Sequence, residues 1–253
     1  MKERSKGVYI LPNLFTTASL FSAFLGILWM IKGEFFLAAI TILISALCDS
    51  IDGRLARLTN STSEFGLQFD SLSDLVAFGI SPALLIYLWQ VHKYGRLGVV
   101  SAFLFIACGA LRLARFNVLA QRDTKKSFFQ GLPIPAAACV LATFVLFSHK
   151  LSLQNRPDLL APVCLILLYL LSFLMISKVK YYSFKDLEFV KAHPFSISLV
   201  CVLIFVLVAS EPTFIGFLFF LGYALFGIFY SYLIEPILKR KERIKEINEE
   251  NLL

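Results

Sequence analysis

Charge is scarce in this sequence, and histidine is scarcer. Only 16% of the 253 residues are Asp, Glu, Lys or Arg, against about a quarter in a soluble domain. The three histidines, His92, His149 and His193, stand apart at the edges of polar loops. Their spacing suits neither a metal site nor a catalytic triad, and solvation at an interface accounts for each. Cysteine occurs five times, as Cys48, Cys108, Cys139, Cys164 and Cys201, always inside or beside an apolar run and never as CxxC. That argues against a disulfide framework and against a zinc centre, and leaves five small buried hydrophobes. No internal repeat or low-complexity linker divides the chain. The first apolar run is long and lacks a small-residue cleavage site, so insertion without removal of a signal peptide is expected.

What the sequence has in excess is hydrophobic residues. They make up 58% of the chain, phenylalanine alone occurs 26 times, and the mean hydropathy is +0.77. Several apolar runs reach the roughly 20 residues that cross a bilayer. The expected fold is all-α, a polytopic transmembrane helix bundle of about eight spans. These are residues 10–31, 35 to about 52 (its helix running on to about 58), 65–89, 97–119, 134–147, 159–176, 194–209 and 213–234. Residues 1–236 are expected to form one integral membrane catalytic domain, and residues 237–253 a charged cytoplasmic tail. Trp29, Trp89, Tyr181, Tyr182 and Tyr230 lie near span ends and suit an aromatic belt.

A net charge of +7 would ordinarily suggest nucleic acid. The cations here fall in loops and tails between spans, which favours membrane lipid and no nucleic acid. Of the 24 Lys and Arg residues, 19 lie on the side shared by both termini. The positive-inside rule makes that side cytoplasmic. It is also the side of the one polar stretch that interrupts the apolar pattern.

That stretch runs from Asp49 to Asp74 and reads D-x2-D-G-x2-A-R-x8-G-x3-D-x3-D, with fixed points Asp49, Asp52, Gly53, Ala56, Arg57, Gly66, Asp70 and Asp74. On a helix, Asp49, Asp52 and Gly53 share one face, and a second stripe holds Gly66, Asp70 and Asp74. The Thr, Asn and Ser residues between suit a turn. The result is a helical hairpin with four carboxylates converging near one end. Such a group needs protons or a cation, and hard divalent ions on carboxylate oxygens are the natural neutraliser. Ion-paired caps, or a proton relay in an ion-coupled membrane transporter, are the competing readings of acids at membrane depth. A transporter, however, has no need of small residues and an arginine beside the acids.

The pattern resembles that of the CDP-alcohol phosphotransferases, integral membrane enzymes, with every fixed position present. The resemblance implies that Asp49, Asp52 and Asp70 bind two divalent metals, Mg²⁺ or Mn²⁺. It implies that Asp74 is the base and lies close enough to share in coordination. Gly53, Ala56, Arg57 and Gly66 then belong to the substrate site, the first three to the CDP pocket. A homodimer is implied as well. The family's first helix often adds polar contacts, for which Asn13, Thr16 and Thr17 are placed, although hydroxyls bonded to helix carbonyls are the commoner arrangement.

Two further stretches, from Ser73 to Ala83 and the RLARFN run 112–117 with the GLPIP run 131–135, resemble the phosphatidylserine synthase branch. The resemblance implies CDP-diacylglycerol and L-serine as substrates, with CMP released. Other alcohols, glycerol 3-phosphate or inositol, are the alternatives. Arg112 and Arg115 are three apart and share a helix face, suited to a carboxylate or phosphate. Snorkelling to headgroups is their plainer role. Asn117 suits amino-acid binding or a helix cap. The GLPIP run suits a pocket wall or a rigid helix entry.

Overall fold

The computed structural model describes residues 10–58, 63–120, 128–153, 157–182 and 211–234. Helix breakers divide the apolar sequence near the expected points. Gly33, at φ +81°, closes the turn between α1 (Ile10–Ile31) and α2 (Phe35–Leu58). Only glycine takes that left-handed conformation without steric cost. Ser63 caps α3 (Glu64–Asp74) by accepting the Gly66 N–H at 3.0 Å. At Asp74 the helix widens into a π-helical turn, Leu75–Ile80, and resumes as α4 (Ser81–Trp89). Pro82 has no N–H to give four residues back, and a widened turn is one way a helix absorbs such a gap.

A 3₁₀ turn, Val91–Tyr94, leads into α5 (Arg96–Ala120). Then come β1 (Phe128–Gln130), α6 (Ile134–Lys150), α7 (Pro157–Ile176), β2 (Lys180–Tyr182) and α8 (Pro212–Phe229), which ends in a second π-helical turn, Tyr230–Ile234. The fold is all-α apart from the antiparallel pairing of β1 with β2, in which Phe129 faces Tyr181. Among the described residues, six helices are long and apolar enough to cross a membrane, and α6 is a shorter apolar helix. The protein is a multi-pass membrane protein. The expected span 194–209 and the charged tail lie outside the described residues.

The shortest of these helices is the innermost. Ala137, Val140, Leu141 and Ala142 of α6 have no exposed surface. Around it, Phe21, Leu47, Phe103, Ile166, Phe173 and Phe219 point outward, which costs nothing where the surroundings are acyl chains. Helices α1 and α2 approach closely through small residues. The Ser19 hydroxyl donates to the Ser45 carbonyl at 3.1 Å and the Ser45 hydroxyl to the Ser19 carbonyl at 2.9 Å. A Cβ on Gly26 would fall 2.3 Å from Thr41 Oγ1, so only glycine fits that crossing.

The aromatic-belt expectation needs correction at two positions. Tyr181 is wholly buried and Trp89 is 8% exposed. Trp89 packs edge-on against Phe144, with centroids 6.1 Å apart. Each ring fills a gap between elements, where its area contributes to packing. Within the GLPIP run, Gly131 has φ +82°, and its N–H donates to the Val179 carbonyl at 2.8 Å. The Leu132 N–H donates to the Leu174 carbonyl at 3.0 Å. The run is therefore clamped to the end of α7 before Pro133 starts α6.

Candidate active site

Helix α2 carries Asp49 and Asp52, and α3 carries Asp70 and Asp74. The hairpin brings these acids together as the spacing predicts. Asp49, Asp70 and Asp74 each offer a carboxylate oxygen, and the three oxygens lie within 4.8 Å of one another. Asp49 and Asp74 also share a side-chain hydrogen bond. Asp52 stands slightly apart. It is 5% exposed, its Oδ2 accepts from Thr16 Oγ1 at 2.9 Å, and the Gly53 N–H donates to it as well. It remains within electrostatic range of the other three.

None of the four carboxylates forms an ion pair with a described Lys or Arg; among the described residues that contact occurs between Lys150 and Glu211. Like charges this close, in partly buried surroundings, require a proton or a cation between them. Three convergent oxygens with no basic partner fit a hard divalent cation. The donor set holds no nitrogen or sulfur that would favour zinc or copper.

Three helices set this geometry. The Ser73 hydroxyl donates to the Thr16 carbonyl at 3.2 Å and ties α3 to α1. Thr16 then reaches Asp52 on α2, so one turn of α1 braces both arms of the hairpin. Thr17, by contrast, donates to the Asn13 carbonyl at 2.7 Å, the commoner arrangement for a helical hydroxyl. The π-helical turn begins immediately after Asp74, a position where such turns recur at functional sites.

The remaining predicted residues divide. Gly53 lies next to Asp52 in α2. Ala56 and Arg57 are on the last turn of α2, and their side chains lie outside the described residues. Gly66 has a local reason for its size: a Cβ there would sit 3.1 Å from the capping Ser63 Oγ. Arg112 is brought to the site, within electrostatic range of Asp74. Arg115, one turn on, is exposed. Asn117 bridges helices: its amide donates to the Ser71 hydroxyl at 2.9 Å. The polar contact expected of Thr16 is present, as its bond to Asp52, although that partner was not foreseen, and neither was the Asn117–Ser71 pair. Polar residues 46 and 36 positions apart carry no periodic signal that would pair them.

Comparison with known proteins gives the chain's relatives. The family described as CDP-alcohol phosphatidyltransferase matches residues 9–176. The chain is 40% identical over 182 residues to the CDP-diacylglycerol–serine O-phosphatidyltransferase of Helicobacter pylori, covering 72% of this chain and 75% of that protein. It is 36% identical over 187 residues to the protein of the same description from Methanocaldococcus jannaschii, covering 74% and 80%. To the archaetidylserine synthase of Methanothermobacter thermautotrophicus it is 37% identical over 173 residues, covering 68% and 69%.

Proposed function

The chain belongs to the CDP-alcohol phosphatidyltransferase family, and from that premise we propose that it transfers the phosphatidyl group of CDP-diacylglycerol to L-serine, giving phosphatidylserine and CMP. The carrying observation is the trio of carboxylates within 4.8 Å at the motif positions, none in an ion pair with a Lys or Arg among the described residues. The serine acceptor rests on the relatives, whose descriptions differ in the lipid but share the serine. An ion-coupled transporter would have no use for the family match.

Asp49, Asp52 and Asp70 would hold two divalent cations, Mg²⁺ or Mn²⁺, with Asp74, whose carboxylate converges on those of Asp49 and Asp70, near enough to share in coordination. When bound, these ions neutralise the diphosphate and the leaving CMP and fix in-line geometry. Thr16 keeps Asp52 oriented by occupying one of its oxygens. Asp74 takes the proton of the serine hydroxyl. The serine oxygen bonds to the phosphorus that carries diacylglycerol, and the bond from that phosphorus to CMP breaks, CMP keeping the electron pair. Asp74 acts by position, its carboxylate oxygen converging with those of Asp49 and Asp70. By their place in the motif, Gly53, Ala56, Arg57 and Gly66 are assigned to the nucleotide side. Arg112 lies on the acceptor side, where it meets the serine carboxylate in two-point fashion; Arg115 and Asn117 are assigned to the acceptor by the motif alone.

The site opens to the cytoplasm from the inner membrane, the lysine and arginine bias being the support. Residues 1–236 are the catalytic domain, 237–253 the charged tail, and the working form is a homodimer. The acceptor is tested with purified protein in detergent, CDP-diacylglycerol, and mass-tagged serine, glycerol 3-phosphate and inositol. Serine is expected to be consumed with stoichiometric CMP release in the absence of any membrane gradient. Preferential consumption of either other alcohol overturns the assignment.

A further inference from the structure

The family match ends at residue 176, yet two tyrosines from beyond it reach inward toward the acceptor side. Tyr181 of β2 has no exposed surface, and its hydroxyl donates to the Ala224 carbonyl of α8 at 3.0 Å. Burial pushes its phenol up, so it stays a neutral donor. Gly227, one turn further along α8, makes room for it: a Cβ there would lie 2.2 Å from the Tyr181 ring. The Tyr181 ring in turn meets the Tyr223 ring, with centroids 5.5 Å apart and planes at 43°. Tyr223 is thus fixed by its neighbour.

Tyr223 lies within electrostatic range of the Arg112 guanidinium, and Arg112 within range of Asp74. Arg112 shares a stripe of α5 with the buried Cys108 and Gly109, the latter so close to α6 that a Cβ would lie 2.6 Å from Ile134 Cδ1. The side chain therefore points into the bundle. Its Nε is buried without a hydrogen-bond partner. A guanidinium offers five N–H donors in a rigid fork, and a buried donor left unpaired is costly. A desolvated guanidinium with an unpaired Nε–H, beside the acid placed as base, is suited to an anion that arrives with the substrate.

We propose that Tyr223 is a positioning residue for the acceptor: seated on Tyr181, it sets Arg112 beside Asp74 and leaves one edge of the guanidinium for the acceptor's carboxylate. The chemistry is carried by the matched part of the chain, and the acceptor's orientation is set from outside it. This rests on the serine reading above.

The test is Tyr223→Phe in the full-length enzyme, which keeps the ring on Tyr181 and removes only the hydroxyl. KM for serine is expected to rise about tenfold. KM for CDP-diacylglycerol and kcat stay within about twofold, since neither depends on holding the carboxylate. The preference for serine over ethanolamine, which lacks the carboxylate, falls by a similar factor. A merely structural role would lower both acceptors alike and leave that ratio unmoved, and this result overturns the proposal. So does an unchanged KM for serine. Wild-type enzyme that ignores serine sinks the acceptor assignment and the proposal together; serine use with unaltered Tyr223→Phe kinetics sinks the positioning role alone.

Discussion

The two ends of α2 handle charge in opposite ways. Near Phe36, whose ring meets that of His149 at a tilt with centroids 4.9 Å apart, the neighbouring charges are balanced and wet. Lys150 pairs with Glu211, both about half exposed, and Lys32 lies over the Trp29 ring at 5.1 Å. Thirteen residues further along, about 20 Å by helical rise, Asp49 meets Asp70 and Asp74, and none of the three is in an ion pair with a Lys or Arg among the described residues. The first arrangement is how a membrane helix anchors itself at an interface. The second works against stability unless a ligand arrives. Uncompensated charge, rather than charge itself, distinguishes the working end from the anchoring end.

Asp70→Asn breaks this contrast most severely. It keeps the shape and removes one of the three converging charges. CMP release is expected to fall about a thousandfold, the scale of losing a main electrostatic contributor. Stability should move the other way. In chelator, the variant should melt higher than wild type, because a like-charge repulsion is gone. Added Mg²⁺ or Mn²⁺ should raise the wild-type melting temperature through binding to the folded state, and the variant's much less. A wild-type protein unmoved by either ion would mean the carboxylates hold no cation.

A smaller effect is expected one contact further out. Thr16→Val keeps the side-chain volume and removes the hydroxyl that donates to Asp52. Outer contacts of this kind typically change metal affinity or activity by 10–100-fold, and about tenfold is expected here. The loss should show as weaker metal dependence, measured by titrating Mg²⁺ against CMP release. A drop in activity that saturating metal does not restore would place Thr16 in folding instead.

The unequal ends were legible in different degrees. The hairpin and its acids follow from three- and four-residue spacing, a local property that any helix converts into a face. Spans bounded by Gly33, Ser63 and Pro133 follow from turn and capping chemistry. What could not be read depends on which helices become neighbours. Asp52 is drawn aside to Thr16, and Asn117 is spent partly on Ser71. Tyr181 was expected at the interface by its place near a span end, yet strand pairing and the space at Gly227 bury it. The π-helical turn after Asp74 has only Pro82 as its local sign. Resemblance supplied the roles of the acids, which spacing alone leaves open between metal, proton relay and cap.

The smallest effect belongs to the balanced end. Lys150→Met and Glu211→Gln remove an exposed pair whose partners are 46% and 50% accessible. Such pairs contribute about 0–1 kcal/mol, because solvent screens the attraction and fixing two long side chains costs entropy. With that discount, each single change should shift unfolding free energy by less than about 0.5 kcal/mol, and a double-mutant cycle should give a coupling of the same order. Serine transfer should be unaffected, since the pair lies about a helix length from the acids. A coupling above about 2 kcal/mol would exceed what screened pairs supply and would mean that this end, too, holds its charges under tension. The distinction between an anchoring end and a working end would then fail on energetics, whatever the chemistry at Asp74.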